Sequence, residues 1–273
     1  MSDFINIYNN GKKTNWIVIR KRSGIIQLDK LSKKFNILGI SSNKDFPKGN
    51  ADIFRFIKGW LHCFKNPIDF DITIKNILLS ESDFVTIKKK YIHKKNSDYF
   101  YVCQNSTNQM KSKNLKLFLK SLEIFNKKKL NGVVIGLNPN NFPNHLIKNI
   151  SFYPLLTQDK LFSVMSTCKF GYFPNEKDAS PRCITESLCL NVPVLVNSNI
   201  YGGWKYINNS TGCFFKNDLS DINEKIEFVM NNKFECSQEY YSKYGFHNSN
   251  KKLFNFIKMI SPDIPYDYMS LYE

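Results

Sequence analysis

The chain has 273 residues, of which 42% are hydrophobic and 15% aromatic, so it is not a disordered protein and can bury a substantial core. Its formal net charge is +16, but only four of the 39 basic residues are arginine, the side chain that best reads bases, which disfavours specific nucleic-acid binding. No apolar run approaches the ~20 residues of a membrane span, and the N-terminus lacks a secretory pattern, so we expect a cytoplasmic protein.

The first part of the chain predicts three strands and two segments of mixed character. Short apolar runs rich in β-branched and aromatic residues indicate strands at 4–8, 35–40 and 74–79. We interpret residues 14–33 as mainly helical, although Ile17, Val18 and Ile19 are β-branched and favour a strand. Residues 52–64 fit either a helix or a strand.

A very polar, lysine-rich stretch at 88–98 separates two parts of the chain. We interpret it as a solvated connector, and a lipid- or phosphate-binding patch is the alternative. It marks the boundary between an N-terminal lobe, residues 1–92, and a C-terminal lobe, residues 93–273. The last segment, from about Leu253, is expected to pack back toward the first lobe.

The second part alternates short apolar runs with amphipathic patterns. We predict strands at 99–103, 132–136, 149–153, 169–173 and 192–196, and helices at 115–127, 158–166, 181–190 and 222–231. This alternation predicts a parallel, Rossmann-like sheet, in which ligands bind beyond the carboxyl ends of the strands.

The segment from residue 174 to residue 196 places polar and charged residues at this ligand-binding edge of the sheet. Ser180 is a good N-cap, Pro181 suits the first position of a helix, and Asn191 suits its left-handed end. The helix therefore begins at the ligand-binding edge, where its free N–H groups suit a diphosphate. Arg182 in its first turn is unfavourable for the helix dipole without an anion, and Glu186 one turn later suits a pair of hydroxyls.

The spacing Asp178-x7-Glu186, followed by a helix and Pro193-Val-Leu-Val196, resembles the nucleotide-binding signature of glycosyltransferase family 4, the group 1 retaining glycosyltransferases. The family usually has glutamate at the first acidic position. The resemblance implies that Glu186 holds the ribose hydroxyls of a nucleotide. It also implies that Asp178, our candidate catalytic residue, lies near the transferred sugar and the reacting carbon.

Three further matches keep the order of the family's motifs between residues 99 and 232. Lys113-Asn-Leu resembles the family's Lys-Gly stretch, which implies that Lys113 meets the diphosphate. Gly132 to Gly136 resembles the strand and glycine beside the base, and Gly202-Gly203 the glycines after the last core strand. The arginine that the family has shortly before the lysine is absent, and Lys111 is the candidate to supply its charge.

The resemblance implies an α/β protein of GT-B type with two Rossmann-like lobes, of which the N-terminal one is short. It implies transfer of a sugar from a nucleotide-sugar to a glycan, protein or lipid-linked acceptor, with retention of configuration. Catalysis would be electrostatic, through Lys113, Arg182 and the helix N-terminus, with no cofactor and no metal. The alternatives are a nucleotide-sugar-binding or scaffold protein without transfer, and a basic nucleic-acid-binding protein.

Other candidates carry less. Trp60 and His62 either line the acceptor side of a cleft or are a packed tryptophan and a surface histidine. Asp69-Phe-Asp71 has the spacing of a metal-binding Asp-x-Asp, but no nucleotide-binding pattern precedes it. The seven scattered cysteines fit buried free thiols. The basic surface favours peripheral contact with an anionic membrane, and the excess of Lys, Asn and Ile is typical of A+T-rich genomes, such as those of some large DNA viruses.

Overall fold

The computed structural model describes residues 4–20, 25–41, 51–65 and 74–272, which form two compact units. Unit 1 comprises Met1–Val85 and Lys243–Glu273, and unit 2 comprises Thr86–Ser242. The sequence placed the boundary at 92/93 and assigned residues 93–273 to the second lobe, with the segment from about Leu253 expected to pack back toward the first lobe. In the structure the chain enters unit 2 earlier and leaves it again before its last helix, whose Leu253, Phe256 and Ile257 belong to a core of unit 1.

The strands are short, as is usual for an α/β fold. They are β1 (Phe4–Asn9), β2 (Lys12–Ile19), β3 (Asn36–Ile40), β4 (Gly59–His62), β5 (Asn76–Leu78), β6 (Ser97–Val102), β7 (Gly132–Ile135), β8 (Ile150–Tyr153), β9 (Cys168–Phe173), β10 (Val194–Asn197) and β11 (Gly212–Phe215).

The helices alternate with the strands along most of the chain. They are α1 (Ile25–Ser32), α2 (Ala51–Phe54), α3 (Thr107–Ser112), α4 (Leu115–Lys127), α5 (Gln158–Ser166), α6 (Arg182–Cys189), α7 (Ile222–Asn231), α8 (Cys236–Lys243) and α9 (Gly245–Ile260). None of the helices in the described part of the chain is both long and apolar enough to span a bilayer.

Unit 1 contains a five-stranded sheet in the order β1-β2-β3-β4-β5, in which only β1 is antiparallel to its neighbour. The helical interpretation of residues 14–33 is wrong for its first half, which forms β2. Trp16 and Val18 face one core of the unit while Ile17 and Ile19 face the other, so β2 is buried on both faces and shows no alternation. Residues 52–64, which fitted either state, contain both α2 and β4.

Unit 2 contains a six-stranded, fully parallel sheet in the order β11-β10-β9-β6-β7-β8. This is the Rossmann order, and the strand order reverses between β6 and β9. The strands and helices predicted for this part of the chain all form, with ends that differ by one or two residues. The loops that follow β6 and β9 therefore meet at the position where such sheets bind ligands.

The core beneath this sheet is rich in aromatic rings. Phe118 of α4 is fully buried and stacks on Tyr101 of β6, with 4.0 Å between ring centroids. It also contacts Tyr172 of β9 and Phe142. Because these rings come from a helix, two strands and a loop, their packing holds α4 against the sheet and so positions the loop that precedes α4.

We predict that Phe118→Ala lowers the free energy of unfolding by about 3–5 kcal/mol, because it leaves a large cavity among rigid rings. Urea unfolding measures the change. The matched control is Tyr153→Ala, which removes an aromatic ring that is 38% exposed on the edge strand β8. A loss for Phe118→Ala no larger than that of the control would contradict the described core.

Candidate functional site

Polar side chains from the loops after β6 and β9 bind each other directly. Lys113 and Asn114 end the first loop, and residues 174–178 begin the second. The Asn114 amide nitrogen donates to the Pro174 carbonyl at 3.1 Å and to Glu176 Oε1 at 3.2 Å. These contacts join two segments about 60 residues apart in sequence at the reversal point of the sheet.

The strongest contact at this point is an ion pair between Lys113 and Asp178. The distance from Lys113 Nζ to Asp178 Oδ2 is 2.6 Å, and the two side chains are only 17% and 14% exposed. The side chain of Asn175 donates to the same carboxylate oxygen at 3.0 Å. Burial is the largest single effect and opposes the charged form of Lys113, but the Asp178 carboxylate together with Cys183 and Cys103 outweighs it, so the pKa of Lys113 is raised above its ordinary value.

The backbone of the loop 174–181 is held from its other side by β10 and the loop that follows β10. Buried Asn197 donates from its side chain to the Pro174 carbonyl at 3.1 Å, and the Gly202 N–H donates to the Asp178 carbonyl at 2.9 Å. A methyl group at Gly202 would lie 1.9 Å from the Ala179 carbonyl oxygen. Only glycine allows this close approach, so Gly202 has a direct role in placing Asp178.

The helix α6 begins at this loop and carries Glu186 into the site. Glu186 is only 6% exposed, and burial raises its pKa above its ordinary value. The nearby Arg182 and Lys113 charges and a hydrogen bond with Cys183 oppose that rise. A carboxylate that is desolvated and flanked by two cations is typical of a functional site.

The start of α6 differs from the prediction by one residue. Pro181 is the N-cap, with φ −74° and ψ 83°, and its carbonyl accepts the first helical hydrogen bond from the Ile184 N–H at 3.0 Å. The prediction of Ser180 as the N-cap is therefore wrong, because ψ of Pro181 is outside the helical range. Ser180 lies in the preceding loop and is half-buried. Arg182 is the first helical residue, is exposed and forms no ion pair within the described residues.

The remaining unit 2 candidates lie at the same edge of the sheet. Gly136 follows β7 with φ +90°, and a side chain there would meet the Cys103 carbonyl at 2.6 Å, so the backbone requires glycine. Burial raises the pKa of the Cys103 thiol, and the nearby Lys113 charge opposes that rise. Lys111 lies in the last turn of α3 and is exposed, two residues before Lys113.

The two candidates in unit 1 are both buried. Trp60 is 6% exposed, packs in a core of the unit and donates from Nε1 to the Ser41 hydroxyl at 2.8 Å. His62 ends β4, is 5% exposed and stacks on Phe64. Trp60 is thus a packed tryptophan, as the second interpretation expected, whereas His62 is buried and is not the surface histidine of that interpretation. Their role on the acceptor side stays a prediction.

No group of three or more metal-ligating side chains comes together within the part of the chain that the structure describes. Asp69 and Asp71 lie outside the described residues, so their metal-binding spacing stays a prediction. None of the seven cysteines, all of which lie in the described residues, forms a disulfide, and four of them are buried.

Sequence reasoning missed the amides that organise the site. Asn114 has φ +53° and caps α4 through its side chain, while its amide nitrogen reaches across to the second loop. Asn175 and Asn197 act from the ends of β9 and β10. An available signal for Asn175 and Asn197 was that each follows a predicted strand end, where polar side chains of a parallel sheet converge, and for Asn114 that it directly precedes the predicted helix 115–127, as an N-cap does.

No protein-family model and no curated protein matches the chain. Solved structures do. The chain is similar to TarM (15% identity, TM-score 0.67, covering 87% of this chain and 53% of TarM). It is also similar to the pneumococcal O-GlcNAc transferase GtfA in complex with UDP and GlcNAc (10%, 0.66, covering 90% and 56%). A third is the lipopolysaccharide outer core galactosyltransferase WaaB in its apo form (12%, 0.67, covering 90% and 75%).

These similarities establish the class of fold. The chain has the GT-B fold, with a Rossmann-like sheet in unit 2 and a mainly parallel sheet in unit 1, as the sequence predicted. It spans only about half the length of TarM and GtfA.

We predict that a double-mutant cycle with Lys113→Met and Asp178→Asn gives a coupling energy of about 1–3 kcal/mol in urea unfolding, because each single change leaves a mostly buried charge without its partner. The matched control is the surface pair of Lys128 and Glu227, which are 2.9 Å apart and 27% and 65% exposed. For that pair we expect less than about 0.5 kcal/mol. Equal coupling in both cycles would mean that the Lys113–Asp178 pair contributes no more than a surface contact.

Proposed function

We propose that the chain is a glycosyltransferase that moves a sugar from a nucleotide-sugar donor to an acceptor hydroxyl, with retention of configuration and without a metal. The observation that carries the proposal is the meeting of Lys113, Asp178 and buried Glu186 at the reversal point of a Rossmann sheet, beside the start of α6. That combination supplies cations for a diphosphate and carboxylates for hydroxyl groups.

The residues divide the donor among them. The diphosphate lies against the Lys113 ammonium and the first turn of α6, where exposed Arg182 and Ser180 add charge and a hydroxyl and Lys111 adds a second ammonium. Glu186 accepts hydrogen bonds from the ribose hydroxyls. The base lies beside Gly136, where the absence of a side chain leaves the β6 and β7 backbones close together.

Asp178 stands between the diphosphate site and the sugar. Its Oδ2 is held by Lys113 and Asn175, and its Oδ1 makes no hydrogen bond within the described residues. On this proposal the fixed carboxylate stabilises the positive charge that develops at the anomeric carbon, while Lys113 and Arg182 stabilise the departing diphosphate. Because these charges are already in place, they need no reorganisation during the reaction.

The solved structures support the donor class. GtfA is an O-GlcNAc transferase seen with UDP and GlcNAc, and WaaB is a galactosyltransferase. The acceptor is a glycan, a protein or a lipid-linked molecule.

A second candidate function is nucleotide-sugar binding without transfer. The residues between β6 and Lys113 contain no arginine, and Lys113 itself is occupied by Asp178. A protein of this kind would be stabilised by the donor but would neither hydrolyse nor transfer its sugar.

We expect UDP- or GDP-sugars to raise the melting temperature in the presence of EDTA, and to be consumed slowly by hydrolysis or transfer. Stabilisation without consumption would favour the binding protein. Stabilisation that requires Mn²⁺ and is lost in Asp69→Ala would contradict the metal-free site. No stabilisation by any nucleotide-sugar would refute both functions.

Glu186→Gln should weaken donor binding by at least ~1 kcal/mol, because a charge-assisted hydrogen bond to ribose becomes a neutral one. Burial raises the pKa of Glu186 above its ordinary value of 4.5. Ionisation of Glu186 is therefore easier in the unfolded chain, and the folded protein becomes less stable as the pH rises above 4.5. The variant should therefore be as stable as the wild type at pH 7, or more so. A carboxylate with a purely structural role would give the opposite pair of results: lower stability and unchanged donor affinity.

Asp178→Asn should reduce kcat much more than donor affinity, because the charge matters most as the anomeric carbon becomes positive. Asp178→Glu restores the residue that is usual in glycosyltransferase family 4 and should keep substantial activity. Steady-state kinetics, donor titration and a melting curve for each variant separate the effects. Parallel losses of kcat, donor affinity and stability would show that Asp178 only stabilises its loop and has no role in catalysis.

A further inference from the structure

The lysine-rich connector of unit 2, residues 86–96, has an ordered arrangement that the sequence did not predict. We call this segment the basic strip. It contains no acidic residue and five lysines, namely Lys88, Lys89, Lys90, Lys94 and Lys95. All of its contacts described below are with residues of unit 2.

Alternate side chains of the strip attach it to α5 and the start of β9. The Tyr91 hydroxyl donates to Asp159 at 2.5 Å, and His93 shares a hydrogen bond with Ser163 at 3.1 Å. The Lys95 ammonium donates to the carbonyls of Ser166 and Cys168 at 2.9 and 2.8 Å. These three attached side chains alternate along the chain with Ile92 and Lys94, which are exposed.

The exposed residues of the strip include an apolar side chain between two cations. Ile92 is 86% exposed, more than any other large hydrophobic side chain of the described residues, and Lys90 and Lys94 flank it. Both lysines are exposed and form no ion pair within the described part of the chain. A solvated connector accounts for the lysines, and Ile92 adds an exposed apolar side chain between two of them, the combination that suits an anionic membrane surface.

The acidic groups nearby do not cancel this charge. Asp159 is the acidic residue that faces the strip from α5, and it is already engaged by the Tyr91 hydroxyl and, at 3.8 Å, by Lys89. Asp98, which follows the strip, is paired with Lys169 at 2.9 Å. The exposed residues of the strip therefore present two lysines that are unpaired within the described residues, Lys90 and Lys94, on either side of the apolar Ile92.

We propose that the basic strip docks the protein on an anionic lipid bilayer, with Ile92 inserted at the headgroup boundary and Lys90 and Lys94 against lipid phosphates. Juxtaposed lysines are attracted to anionic lipid, and an apolar side chain between them gains from leaving water. A nucleic acid would use the lysines but would leave Ile92 exposed, and the strip has no arginine for base contacts. This inference does not depend on the proposed transferase activity.

The test is sedimentation of the full-length protein with phosphatidylserine-containing vesicles at low salt, with pure phosphatidylcholine vesicles as the uncharged comparison. Ile92→Ser should weaken binding about tenfold, because the apolar contribution is lost while the charge is kept. Lys90→Gln and Lys94→Gln should weaken it by about fivefold for each lysine. None of these side chains contributes to a core, so melting curves should be unchanged.

Matched controls separate the strip from the general positive charge of the protein. Lys116→Gln with Lys120→Gln removes the same charge from the exposed side of α4, and Met259→Ser removes another exposed apolar side chain, 51% accessible, from α9. These controls should bind vesicles as the wild type does. Equal losses in control and strip variants, or no binding of the wild type to anionic vesicles, would overturn the proposal. Binding to single-stranded RNA that is lost in the lysine variants, with vesicle binding unaffected by Ile92→Ser, would assign the strip to nucleic acid instead.

Discussion

The two loops of the candidate site in unit 2 are joined by one largely buried ion pair, between Lys113 after β6 and Asp178 after β9. Two opposite charges that are largely removed from water stabilise a structure only when each also has hydrogen-bonding partners. Asn175 donates to the same Asp178 oxygen, and Asn114 and Asn197 both donate to the Pro174 carbonyl at the start of that loop. The pair is thus embedded in a set of amides that keeps both loops in place before any ligand arrives.

This pair also shapes the donor chemistry proposed for the site. A diphosphate that binds Lys113 shares its ammonium with the Asp178 carboxylate already held there, so both anions lie against one fixed cation. Glu186 complements this arrangement from α6. Its raised pKa indicates that the folded protein tolerates a poorly solvated acid there, which is a cost that hydrogen bonds from ligand hydroxyls would reduce.

The basic strip illustrates how anchoring changes the meaning of a charged segment. Five lysines in a flexible connector would be a solvated tail, but hydrogen bonds through Tyr91, His93 and Lys95 hold this segment against α5 and the start of β9. The lysine-rich segment therefore has a fixed position on unit 2 because its side chains bind α5.

The sequence by itself determined most of unit 2, because amphipathic helices such as α4 and apolar strands such as β7 carry their period within the segment. It also predicted that Asp178 and Glu186 lie at the ligand-binding edge of the sheet, whereas Lys113 was assigned to the same site only by its resemblance to a family motif. Only the tertiary structure decided that β2 is a strand, because the run from Trp16 to Ile19 is buried on both faces by two different cores and has no period to detect. Likewise, only the fold turned Asn114 toward Pro174, since this outcome depends on a contact between residues far apart along the chain.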